Sequence, residues 1–219
     1  ITSAPEIDGV TRRIPLVVNV QSNLYPTFAL ELLRVAIGDP SYQVKTNTEG
    51  VMWVRVPSYP LMNTDANGRI FLDWNTTFYK QSAAEYLTDP IEAPFVIFGV
   101  TAEGIANPTP TPAGLKYPHE IQANILHNLI NGSAPSTPTW APAGELFALI
   151  LGLLLIAVTV SSIYISAPVI FLLFGSLLFG AWYSFQSSYL VDVSGIIVLS
   201  FLFWTIETFR NFITQYLLR

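Results

Sequence analysis

Leu146-Phe-Ala-Leu-Ile-Leu-Gly-Leu-Leu-Leu-Ile-Ala-Val-Thr-Val-Ser-Ser162 holds no charged side chain. A run of that kind approaches the roughly 20 apolar residues that carry a helix across the hydrocarbon core of a bilayer. Working outward, residues 164–185 and 193–209 repeat the pattern, and between Leu146 and Ile206 the only charged residue is Asp192. Three transmembrane α-helices are therefore predicted, over 146–162, 164–185 and 193–209, within a region spanning 144–209. An odd number of crossings puts the two ends of the chain on opposite sides. Glu145 precedes the first run whereas Arg210 and Arg219 follow the last, and positive charge favours the cytoplasmic side. Residues 1–143 are accordingly expected outside the cytoplasm and the C-terminus inside. Aromatic residues agree, with Trp140, Trp182, Tyr183 and Tyr189 near one predicted interface and Tyr164, Trp204 and Tyr216 near the other.

The part before the membrane is a different material. The chain is 51% hydrophobic and only 11% charged, against about 25% charged in soluble domains, yet 12 of its acids and 8 of its bases precede Pro142. That acidic front, with no basic run, excludes nucleic acid as a partner. Absence of cysteine excludes disulfides and thiolate chemistry. The opening Ile1-Thr-Ser-Ala-Pro-Glu6 has neither a basic nor an apolar leader segment, so sequence upstream is expected.

Strand and helix patterns alternate through this front. Residues 14–20 read as a strand, 26–37 as an amphipathic helix stopped by Gly38, and 42–45, 51–56 and 69–74 as short strands. Asp65-Ala-Asn-Gly68 is a tight turn rather than a calcium loop, since the spacing is short and the bidentate Glu is missing. Ser82-Ala-Ala-Glu85 is a capping box opening a short helix. Phe95-Val-Ile-Phe-Gly-Val100 is wholly apolar and is expected to form a central strand covered by helices in an α/β arrangement. Asn107-Pro-Thr-Pro-Thr-Pro112 is a Pro-rich stretch. A helix over 118–131 ends at Gly132, with Ile121, Ile125, Leu126, Leu129 and Ile130 as its buried stripe. Residues 133–143, holding three prolines, form a stiff connector. The expected fold class is a mixed α/β extracytoplasmic domain (1–132) followed by three transmembrane α-helices, with 210–219 opening a cytoplasmic connector.

Four stretches resemble the CHASE2 extracytoplasmic sensor family of bacterial receptors: Asp8-Gly-Val-Thr-Arg-Arg-Ile-Pro-Leu16, Leu24-Tyr-Pro-Thr-Phe-Ala-Leu30, Phe98-Gly-Val-Thr-Ala102 and Tyr117-Pro-His-Glu-Ile-Gln-Ala-Asn124. The resemblance covers nearly the whole chain. It implies a further N-terminal portion of the sensor and a cytoplasmic output enzyme, most often a class III nucleotide cyclase such as an adenylate cyclase, or a histidine kinase. It also implies a bacterial inner-membrane location, a homodimer, and an extracytoplasmic small ligand or protein as the signal.

Candidate site residues are few. Gly99 and Thr101 stand where open α/β sheets bind ligands, beyond a strand's carboxyl end, although Gly99 also suits plain close packing. His119 and Glu120 begin a helix and offer a ligand contact, the simpler reading being dipole complementarity by Glu120 and a partly exposed His119. His127 is two turns further on, too far to share an ion with His119. No metal site, cofactor or catalytic residue is assigned, because no nucleophile, Walker or zinc-protease motif is present. Asp192 reads as a capping or interfacial carboxylate, and Glu207 with Arg210 as an i, i+3 pair. The function expected is that of a sensor relaying a signal to an output domain. The alternative is an accessory membrane subunit whose front domain binds a protein. A transporter is disfavoured by the nearly charge-free spans.

Overall fold

The computed structural model describes residues 5–102 and 104–216. Ile1-Thr-Ser-Ala4, Glu103, the side chain of Tyr216 and Leu217-Leu-Arg219, whose arginine enters the charge asymmetry, lie outside the described residues. The chain divides into two compact units, Ile1–Ser136 and Thr137–Arg219.

The first unit is a set of small antiparallel sheets closed by helices. The strand expected over 14–20 is two pieces, β1 (Arg13–Pro15) and β2 (Val17–Val20). Leu16 separates them because its N–H donates to Gly68 O (2.9 Å) and its carbonyl accepts from Thr27 N (2.8 Å), outside either ladder. β2 folds back on β3 (Asn23–Pro26) through Gln21 and Ser22, which take φ of 50° and 67°, the left-handed pair a two-residue hairpin requires. Pro26 ends β3 instead of opening the helix. Thr27 is the N-cap of α1 (Phe28–Ala36), its Oγ1 accepting Leu30 N at 3.4 Å, and Gln122 Oε1 takes the next orphan donor, Ala29 N, at 3.0 Å.

A three-stranded sheet follows in the order β4 (Gln43–Asn47), β5 (Gly50–Arg55), β6 (Met62–Asn63). The turn at Asp65 to Gly68 is present: Gly68 has φ +72° and donates to Asp65 O at 2.8 Å. Its flanking strands part company, however, for β6 pairs with β5 while β7 (Arg69–Phe71) pairs with β1. Ser82 Oγ caps α2 (Ala83–Thr88) through Glu85 N at 3.2 Å. The Pro-rich stretch is not featureless, because Thr109–Thr111 (β8) pairs with Gly114–Lys116 (β9) as a hairpin. Its prolines are tolerated because an edge strand leaves some N–H positions unused. α3 (Pro118–Asn131) ends at Gly132 with φ +64°, the left-handed stop expected.

The core gathers Leu16, Leu30, Leu33, Val54, Ile70 and Ile125, all at 2% exposure or less. Ile121, Leu126 and Leu129 of the predicted α3 stripe join it, with Ile130 half-buried at its margin. One expectation fails. Residues 95–100 are not a strand among the described residues. Phe95 and Ile97 pack on the core while Val96, Phe98 and Val100 face outward, 40–65% exposed. That alternation is strand-like, but no neighbouring strand supplies a ladder, so the run lies as an unpaired apolar edge.

Asn128 is the unit's main polar strut. Wholly buried, it accepts Asp73 N at 3.1 Å and Ser133 Oγ at 3.4 Å and donates to Asn124 O at 2.8 Å. Asn128→Ala should cost about 2–3 kcal/mol, because it strands several buried groups at once. Chemical denaturation of the unit would check this, a midpoint unchanged within error counting against the strut.

In the second unit the apolar runs form α4 (Ala141–Thr159), α5 (Ile163–Gln186) and α6 (Ser194–Tyr216). All three are long and apolar enough to cross a membrane. α4 starts at Ala141, five residues ahead of the apolar run, because Pro142 is acceptable in the first turn of a helix. α4 and α6 run parallel and are clipped at both ends: Asp192 N donates to Glu145 Oε1 (3.0 Å), and Asn211 Nδ2 donates to Val160 O (3.1 Å). Gly152 marks the close approach, since a Cβ there would stand 3.2 Å from Leu173 and 3.5 Å from Ser200 Oγ. Gly180, in α5, faces open space.

Beside buried Ile196 and half-buried Phe203, the inward face of α6 carries polar side chains. Ser200 is buried, and Trp204, Glu207, Thr208 and Asn211 are half-buried, while Phe201, Leu202, Ile206 and Phe209 face out. Trp204 donates its indole N–H to buried Ser166 Oγ, near the start of α5, at 3.1 Å. Asp192 caps the start of α6, accepting Ser194 N at 2.9 Å and Ser194 Oγ at 2.6 Å. Those hydrogen bonds, the hydroxyl's first, hold its carboxyl below the usual range. Glu207 pairs with Arg210 at 2.5 Å.

Candidate functional site

The amino end of α3 collects most of what is chemically distinctive in the first unit. Tyr117 is extended (φ −74°, ψ 157°) and Pro118 begins the helix, a residue with no N–H to leave unsatisfied. Glu120 then reaches back, its Oε2 accepting Tyr117 N at 2.7 Å while Oε1 pairs with Lys80 Nζ. The His119 ring stacks on Tyr117 at 5.8 Å between centroids and 15° between planes. Behind it lies Gly99, where a Cβ would fall 2.6 Å from His119 Cβ and overlap the ring. Gly99 is therefore a close-approach glycine for the histidine. Its neighbour Phe98 meets Tyr86 edge-on at 5.4 Å.

Of the four residues singled out from sequence, the structure brings Gly99 and His119 together and sets Glu120 beside them on the helix. Thr101 is exposed and makes no hydrogen bond among the described residues. The premise that placed it, a strand over 95–100, is not met. Lys80, Tyr117 and Gln122 escaped the sequence reading. Tyr117 and Gln122 lie inside a quoted motif, so their position was the available signal. Lys80 carried none.

Glu120 is almost fully buried. Burial alone would raise its pKa, but the hydrogen bonds from Lys80 and from Tyr117 N–H outweigh that and leave it below the ordinary 4.5. A carboxylate depressed in the folded state contributes stability that is present above the unfolded pKa and lost as pH falls through the folded value. Melting temperature should thus decline as pH drops below about 4.5, and Glu120→Gln should flatten that part of the curve. Parallel curves for the two proteins would contradict this.

The motif around Asp8 is a staple. Asp8 Oδ1 accepts Val10 N at 3.0 Å, Arg12 pairs with Asp8 and Glu6, and Arg13 bonds Glu6 and Asp65 at 2.9 and 3.3 Å while lying over the Phe71 ring. Arg12 draws the Asp8 carboxyl down to about 2. An open groove lies elsewhere, lined by Leu24, Pro26, Arg34, Pro40, Tyr42 and Val44. Two of its polar side chains are already engaged, Arg34 by Glu31 and Asp39 O and Tyr42 by Leu24 O. No group of three or more potential metal ligands occurs among the described residues. What the α3 end offers is an aromatic face beside an ion pair, which suits recognition.

A sheet-rich domain joined to three helices able to cross a membrane defines a membrane protein with a folded head. The CHASE2 domain family matches residues 1–159, and the chain belongs to that family of extracytoplasmic sensor domains. The match ends where α4 ends, at Thr159. No curated protein and no solved structure matches the chain.

Proposed function

We propose that the chain is the sensing and membrane-crossing part of a bacterial signalling receptor. Residues 1–132 are the extracytoplasmic sensor, 133–143 the connector, 144–209 the three-helix inner-membrane region and 210–219 the start of the path to a cytoplasmic output enzyme, a class III nucleotide cyclase. The observation that carries this reading is the family match, which runs unbroken through the head and the first span as a single piece. Within the sensor, Gly99, Thr101, His119 and Glu120 mark the ligand-facing region, and the receptor works as a homodimer whose partner surfaces include the lipid bilayer.

Topology is the part most directly testable. Alkaline phosphatase fused after Arg219 should be inactive, and fused within residues 1–132 active. Activity at Arg219 would overturn the orientation. The coding sequence supplies a second test, since a reading frame that stops at Arg219 with no output domain would remove the receptor-enzyme reading.

A further inference from the structure

Residues 74–82, between β7 and α2, run without regular structure, and residues 76–80 make no backbone hydrogen bond. Side chains alone hold this segment along α3. Phe78 meets the His127 ring edge-on at 6.1 Å, and Lys80 pairs with Glu120. Each end is pinned: Asp73 N donates to Asn128 Oδ1 at 3.1 Å, and Gln81 Nε2 donates to Asp89 O at 3.0 Å. Trp74 Nε1, at the start of the segment, is buried without a protein partner. Buried groups left unsatisfied disfavour the arrangement that buries them.

We propose that residues 74–82 are a hinged strap, latched along α3 by the Lys80–Glu120 ion pair and able to swing open between the pins at Asp73 and Gln81. Opening gives the buried Trp74 Nε1 access to water and uncovers the flank of α3 that carries Glu120, beside His119 and Gly99. The latch is weak by construction, because the Lys80 side chain is 67% exposed, and exposed ion pairs are screened by salt. Between the pins, closure hangs on that screened contact, the Phe78–His127 ring contact and the packing of Trp74 on the core. The inference stands on these contacts and does not need the receptor reading.

Because the chain has no cysteine, paired spin labels can be placed without background. Thr77→Cys on the strap and Thr48→Cys on the β4–β5 turn, both at exposed positions, report the strap's distance from the body of the unit in the full chain in lipid nanodiscs. The parent pair should show one dominant distance with a minor second population. Lys80→Met should raise the second population about two- to fivefold, and Lys80→Arg should keep it low. Raising salt from about 0.1 M to 1 M should move the unsubstituted chain the same way as Lys80→Met, with no substitution in the latch. One unchanged distance distribution across Lys80→Met and the salt series overturns the strap. An equal rise in Lys80→Met and Lys80→Arg overturns the ion pair as its latch.

Discussion

Gly99→Val is expected to lower the melting temperature of the first unit by about 10 °C, through a loss of about 2–3 kcal/mol. Gly99 does not occupy the left-handed region, so the penalty is steric: the new Cβ meets His119 Cβ at 2.6 Å and overlaps the ring root. A flexible side-chain tip could move aside, but a Cβ held by a helix backbone cannot. Relief must come from displacing the 95–100 segment or the start of α3. His119→Ala removes the ring but keeps the Cβ, so the double variant Gly99→Ala, His119→Ala should recover a large share of what Gly99→Ala alone loses. Calorimetry on the four combinations gives the coupling directly. Additive losses would mean that the two residues do not touch in solution.

The second large effect belongs to the membrane unit. Gly152→Leu should destabilise the helix bundle by about 2 kcal/mol, since Leu173 and Ser200 close the space its side chain would need. Gly180→Leu should fall within about 0.5 kcal/mol of the parent, because nothing stands within 4 Å of its position. Detergent-denaturation midpoints in the same micelle would separate the two glycines. Equal effects would show that helix propensity, and not the α4 contact, decides.

Sequence periodicity found every helix among the described residues, because each combines a face or run of apolar residues with a recognisable start or stop: Ser82, Pro118, Gly38 and Gly132 all act where expected. It failed where pairing partners decide. Residues 95–100 have the composition of a buried strand, yet composition cannot say whether a neighbour exists to complete the ladder. Residues 107–112 have the composition of a loop, and the β8–β9 hairpin depends on a cross-strand match with Gly114–Lys116. At the candidate site, Gly99, His119 and Glu120 were legible as unusual residue types in motif positions. Lys80 was not, because it reaches Glu120 from forty positions away, a distance at which no local pattern speaks.

The polar side chains on the inward face of α6 bear on how the protein is made. That helix is the least apolar of the three spans. Ser200, Trp204, Glu207, Thr208 and Asn211 are poorly suited to lipid, and a translocon sorts each emerging segment by its tolerance of lipid. Trp204 and Asn211 find their partners on Ser166 and Val160, which belong to helices synthesised earlier. α6 should consequently enter the bilayer with the help of a waiting α4–α5 pair, so that the last helix made is the one whose insertion certifies that the first two are in place.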